Sequence, residues 1–121
     1  MLPDIQRLGT GRHWSEIVIH AGTAYWAEVA DDPQQTFAGQ TSQILSQIDG
    51  ALERIGSDRT RLLQVIVYLT DLADMPTFNK LWDEWLLPGH APVRACVQAG
   101  LAPGYKLEMV VTAASLPGSK V

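Results

Sequence analysis

The spacing of hydrophobic positions changes along the chain, and each change marks an element. From Glu16 to Val29 two β-rich runs, EIVIH and TAYWAEV, flank Ala21-Gly22, where glycine can supply a tight turn, so this stretch predicts a hairpin. Ile5 to Leu8 predicts a short first strand ahead of Gly9-Thr10-Gly11. Between Asp31 and Gly56 the apolar residues Phe37, Ile44, Leu45, Ile48, Leu52 and Ile55 return at helical steps and line one face of an α-helix. Asp31, Asp32 and Pro33 suit its first turn, and Gly56 suits the left-handed position after its last. LLQVIVYL, from Leu62 to Leu69, is apolar on both parities, as in a central strand covered on both faces. Phe78, Leu81, Trp82 and Trp85 predict a second helix over Pro76 to Leu87, ended by Pro88-Gly89, with its aromatic stripe on the sheet. PVRACVQ and KLEMVVTA predict two last strands, joined by AGLAPGY.

The resulting order is βββαβαββ, an α+β arrangement with a mixed sheet and two helices on one face. The other face is also substantially apolar and needs a cover, for which self-association is the economical answer. With 121 residues and no long Gly, Ser or Pro tract, the whole span 1–121 suits a single domain.

Charge and cysteine usage narrow the partners. The net charge of −4 is spread along the chain, and no cluster of Lys and Arg offers the basic stripe that a phosphate backbone needs, so nucleic acid is not an expected partner. The lone Cys96 excludes an intrachain disulfide, and MLPDIQRLGT lacks the pattern of a secretory signal, which together suit a reducing, cytoplasmic setting. No apolar run approaches the roughly 20 residues of a membrane-spanning helix, so no membrane partner is expected. His13, His20 and His90 stand at segment ends and in loops without metal-ligand spacing, so no metal is expected.

Against this background the segment APVRACVQAGL holds an oddity, a guanidinium between apolar residues of a strand. Burying such a charge unpaired costs several kcal/mol or more, so Arg94 implies an anion from its own chain, a neighbouring subunit or a ligand. Strand alternation puts Arg94 and Cys96 on one face, and it makes Glu108 a carboxylate within an otherwise apolar strand. If the last two strands pair antiparallel around AGLAPGY, Cys96 falls roughly opposite Glu108 and Arg94 lies one step along, so three functional groups converge. The plainer alternative is an Arg94–Glu108 ion pair serving structure alone, with Cys96 as a small core residue. A nucleophilic Cys96 would need a base, and no histidine is placed to act as one.

The segment APVRACVQAGLAPGYKLEMVVTAA, with its P-x-R-x-x-V core and terminal hydrophobic-Glu-hydrophobic strand, resembles the C-terminal signature of the Rid (reactive intermediate deaminase) family. Further similarity runs through QTSQILSQIDGALERIGSDRTRLLQVIVYLTDLADMPTFNKLWDEWL, so it covers the chain from about Trp14 onward, and WSEIVIHAGTAYWAEV and APVRACVQAGL look nearer to the YoaB-like paralogs than to RidA itself. The resemblance implies a chorismate-mutase-like fold assembled as a homotrimer, its sheets turned inward into a barrel and its ligand clefts between subunits. It implies hydrolysis of 2-imino acids, or their enamine tautomers, to 2-oxo acids and ammonia without a cofactor. It places the carboxylate-binding arginine on Arg94, the cleft cysteine on Cys96, the water-positioning glutamate on Glu108 and a cleft-lining aromatic at about Trp14. One departure is Glu28, which stands where many members have a glycine close to the ligand; its side chain would narrow the cleft, change the substrate or remove activity. The contrasting expectation is a trimer that binds a small carboxylate, or reports it to a partner, without turnover. RNA cleavage, proposed for some relatives, sits poorly with the acidic balance.

Overall fold

The N-terminal residues form an antiparallel meander in a computed structural model that describes residues 4–115; the first three and last six positions of the expected domain lie outside it. Its strands are β1 (Ile5–Leu8), β2 (Ile17–His20) and β3 (Thr23–Glu28). The β2–β3 turn works because Ala21 and Gly22 both take positive φ, 51° and 79°, the conformation that a two-residue hairpin loop demands.

Helix α1 spans Phe37–Arg54, beginning later than the acidic pair suggested. Its N-cap is Thr36, whose hydroxyl accepts the Gly39 N–H at 3.1 Å. Asp32 instead closes the preceding turn by accepting the Gln34 N–H at 2.9 Å, while Gln47 and Gln43 accept the N–H groups of Asp31 and Asp32. With those donors taken by side chains, the segment runs outside the helix. Gly56 ends it in the expected left-handed conformation, with φ 67°.

Strand β4 (Leu62–Leu69) leads into α2 (Met75–Trp85) and then β5 (Val93–Gln98), and β6 (Leu107–Ala114) closes the chain. The six strands form one sheet in the order β1-β2-β3-β6-β4-β5. The β4–α2–β5 unit is a crossover, so β5 runs parallel to β4 at the sheet edge, while β6 inserts antiparallel between β3 and β4. The antiparallel β5–β6 pairing expected from sequence therefore does not form.

Both helices pack on one face of the sheet. Ile44, Ile48, Leu52 and Ile55 of the α1 segment and Phe78 and Trp82 of α2 share one buried cluster with Val65, Val67, Leu69, Leu107, Met109 and Val111. The opposite face explains the apolar double parity of LLQVIVYL: Ile66 and Tyr68 are half-buried, while Tyr25 and Leu63 are exposed, at 48% and 46%.

Candidate functional site

A cleft opens where β3 outruns its neighbour. Pairing between β2 and β3 reaches only Val18–Tyr25, so Trp26 to Glu28 continue without a β2 partner and the Trp14–Glu16 segment passes alongside. The resulting cleft has a volume of about 770 Å³, and its lining includes Trp14, Glu16, Glu28, Gln47, Arg54 and Glu108. Three of the residues selected from sequence, Trp14, Glu28 and Glu108, meet here. Trp14 is 75% exposed, an indole presented to solvent rather than to the core.

The charges of this cleft are one-sided. Glu16, Glu28, Asp31 and Glu108 line it, against Arg54 as the only cationic side chain of the lining among the described residues. Arg54 is already committed, with Nη1 3.0 Å from Glu16 Oε1. Gln47 Nε2 donates to Glu28 Oε2 at 3.1 Å and to the Val29 carbonyl at 2.8 Å, which fixes the Glu28 carboxylate in the wall. Burial pushes the Glu28 carboxyl above its ordinary 4.5, the Gln47 hydrogen bond opposes this, and the charges of Asp31 and Glu16 add to it. Among the described residues no hydrogen bond or ion pair holds the Glu108 carboxylate.

Arg94 and Cys96 lie elsewhere. Arg94 is in register with Val65 and Cys96 with Val67, so both point to the helix face, whereas Glu108 is in register with Tyr68 and points to the other. Strand β4 also separates them. The expected convergence of Arg94, Cys96 and Glu108 within one protomer is thus absent, and so is the structural Arg94–Glu108 ion pair. What surrounds Arg94 is neutral: Nη1 donates to Asn79 Oδ1 at 2.8 Å, and the guanidinium carbon lies 5.5 Å from the Phe78 ring centre and 5.9 Å from that of Trp82. Among the described residues no carboxylate lies within ion-pair distance of it. Cys96 packs half-buried against the core. Burial pushes its thiol up and Arg94 pulls it down less strongly, which opposes a thiolate role.

Sequence reasoning missed Asn79, Gln47 and Arg54. A signal for Gln47 was present, because Gln40, Gln43 and Gln47 repeat at helical spacing as a polar stripe on α1. Asn79 is likewise a polar residue that follows Phe78 directly and precedes Trp82 by three positions.

The Endoribonuclease L-PSP family model matches residues 5–115. The chain is 41% identical over 111 residues to the RutC family protein YoaB of Escherichia coli strain K12, covering 91% of this chain and 97% of that protein. The chain belongs to the Rid/YjgF family. Within it the chain stands near YoaB, and it is also 42% identical to a RutC family protein of Haemophilus ducreyi, with 91% and 96% of the two chains covered. A member of the YjgF protein family from Neisseria meningitidis superposes with a TM-score of 0.88 at 37% identity, over 93% of this chain and 96% of that one. No helix among the described residues is long and apolar enough to cross a membrane.

Proposed function

We propose that this Rid-family chain hydrolyses 2-imino acids, or their enamine tautomers, to 2-oxo acids and ammonia, in clefts shared between the subunits of a cytoplasmic homotrimer. The observation that carries this reading is Arg94, a held guanidinium for which the described residues supply no carboxylate. A cation in this state seeks an anion, and two parallel N–H donors match a carboxylate. The cleft has the complementary deficit, because it offers carboxylates and a cation already spent on Glu16. Joining the Arg94 edge of one protomer to the Glu108 cleft of another satisfies both, and the half-open sheet face with Tyr25 and Leu63 gives such an assembly apolar area to bury.

In the assembled site Arg94 holds the substrate carboxylate and thereby orients the flat C=N group. Glu108 accepts a hydrogen bond from water, and the water oxygen forms a bond to the imine carbon as a proton moves to nitrogen. The tetrahedral adduct then forms a carbonyl as its hydroxyl proton passes to the amino nitrogen and the C–N bond breaks, releasing ammonia and the 2-oxo acid. Cys96 contributes packing beside the anchor, and Trp14 an apolar wall.

The direct test is ammonia release from an enzymatically generated 2-imino acid. Arg94→Ala should abolish turnover while leaving the oligomer folded, and Arg94→Lys should not restore it because the two-pronged geometry is lost. A fully active Arg94→Ala protein would remove the anchor. A second reading, a carboxylate-binding trimer without turnover, draws on Glu28, whose carboxylate Gln47 fixes in the cleft wall. Stabilisation of the wild-type protein by a 2-oxo acid with no ammonia formed from any 2-imino acid would favour it.

A further inference from the structure

Helix α2 and its flank hold two arginines in different ways. Arg59 lies 4.8 Å from the Trp85 ring centre, and its fork is consumed: Nε and Nη2 bind the two Asp49 carboxylate oxygens at 2.7 and 2.8 Å, and Nη1 the Trp85 carbonyl at 2.7 Å. That is a closed, neutralised pair, and Trp85 Nε1 reinforces it by donating to Asp49 Oδ2 at 3.1 Å. Arg94 sits against Phe78 and Trp82 of the same aromatic column, yet its polar partner is the Asn79 amide oxygen, 2.8 Å from Nη1. A guanidinium only donates, so it is the oxygen of Asn79 that faces it. An aspartate has almost the same shape and would bind the arginine more strongly, at the expense of its charge.

We propose that Asn79 is the positioning residue of the Arg94 anchor, a neutral amide that fixes the guanidinium while leaving its charge and its remaining N–H donors to a ligand carboxylate. The aromatic faces of Phe78 and Trp82 attract the cation without neutralising it, so the helix orients Arg94 from two sides and leaves its charge intact. Asn79, Phe78 and Trp82 all belong to α2, so this one helix supplies the amide and both rings that hold Arg94. This inference rests on the reading of Arg94 as a carboxylate anchor.

The test compares wild type, Asn79→Asp and Asn79→Ala for binding of 2-oxobutanoate by titration calorimetry, for thermal stability, and for KM and kcat in ammonia release. A purely structural role predicts that Asn79→Asp, which gains an ion pair, keeps wild-type affinity. A positioning role predicts that Asn79→Asp melts at or above the wild-type temperature yet binds 2-oxobutanoate at least about tenfold more weakly, since an internal carboxylate now competes for the guanidinium. KM should rise with it more than kcat falls. Asn79→Ala, with charge kept but tether lost, should bind more weakly than wild type and more tightly than Asn79→Asp. Wild-type affinity in Asn79→Asp, or in Asn79→Ala should the aspartate variant not fold, overturns the inference alone. A wild-type protein that binds no 2-oxo carboxylate overturns the functional reading and this inference with it.

Discussion

Glu28 is the residue at which the cleft departs most from a neutral wall. Its carboxyl is raised, chiefly by burial, so the folded protein holds that proton more tightly than the unfolded chain does. The resulting penalty is absent below the ordinary value of 4.5 and develops as pH rises through the higher folded value. Glu28→Gln keeps an amide oxygen for the Gln47 donor and removes the penalty. Its melting temperature relative to wild type should therefore climb as pH is raised from below 4.5 to the higher folded value and level off above it; a difference that stays flat or shrinks across that window would show that burial of Glu28 carries no penalty. Gln40 makes a second residue-scale argument. It is fully buried, its Nε2 donates to the carbonyls of Pro33, Gln35 and Gly104 at 2.9 to 3.2 Å, and its Oε1 accepts the Lys106 N–H at 3.0 Å. It thus ties the β5–β6 connection, just before Glu108, to the start of α1. Gln40→Leu leaves these groups unsatisfied and should cost about 2–4 kcal/mol in urea unfolding at fixed protein concentration; a cost below about 0.5 kcal/mol would contradict that role.

At the scale of elements, the sequence made their existence legible and left the pairing of the last two strands misread. The aromatic steps at Phe78, Trp82 and Trp85 and the aliphatic steps at Ile44, Ile48 and Leu52 mark buried helix faces because burial follows the helical repeat. Thr36 was passed over as the cap of α1 because Asp31 and Asp32 carry the same chemical signal, and only the tertiary bonds of Gln43 and Gln47 draw them away. The β5–β6 hairpin was inferred from adjacency across one loop. The stronger constraint was β4–α2–β5, since a strand-helix-strand unit favours parallel neighbours. The consequence for the site was large: Arg94, Glu108, Trp14 and Glu28 are readable as unusual residues one by one, but their faces depend on strand order, which local pattern does not encode.

At the scale of the molecule, the chain holds Glu108 and Arg94 in two separate places. One is an acidic cleft bearing Glu108, and the other is an edge strand bearing Arg94 on the far side of the sheet. No side-chain rotation brings them together through β4, so an active site using both must take them from different copies of the chain. The measurement that tests this most directly is complementation between two inactive variants. Arg94→Ala and Glu108→Gln are each expected to lack ammonia-releasing activity. Co-expressed in equal amounts, they should form mixed oligomers in which about one cleft in four draws an intact Arg94 from one subunit and an intact Glu108 from the other. Activity should then return to about a quarter of wild type; verified mixed oligomers no more active than either variant alone would contradict a shared site.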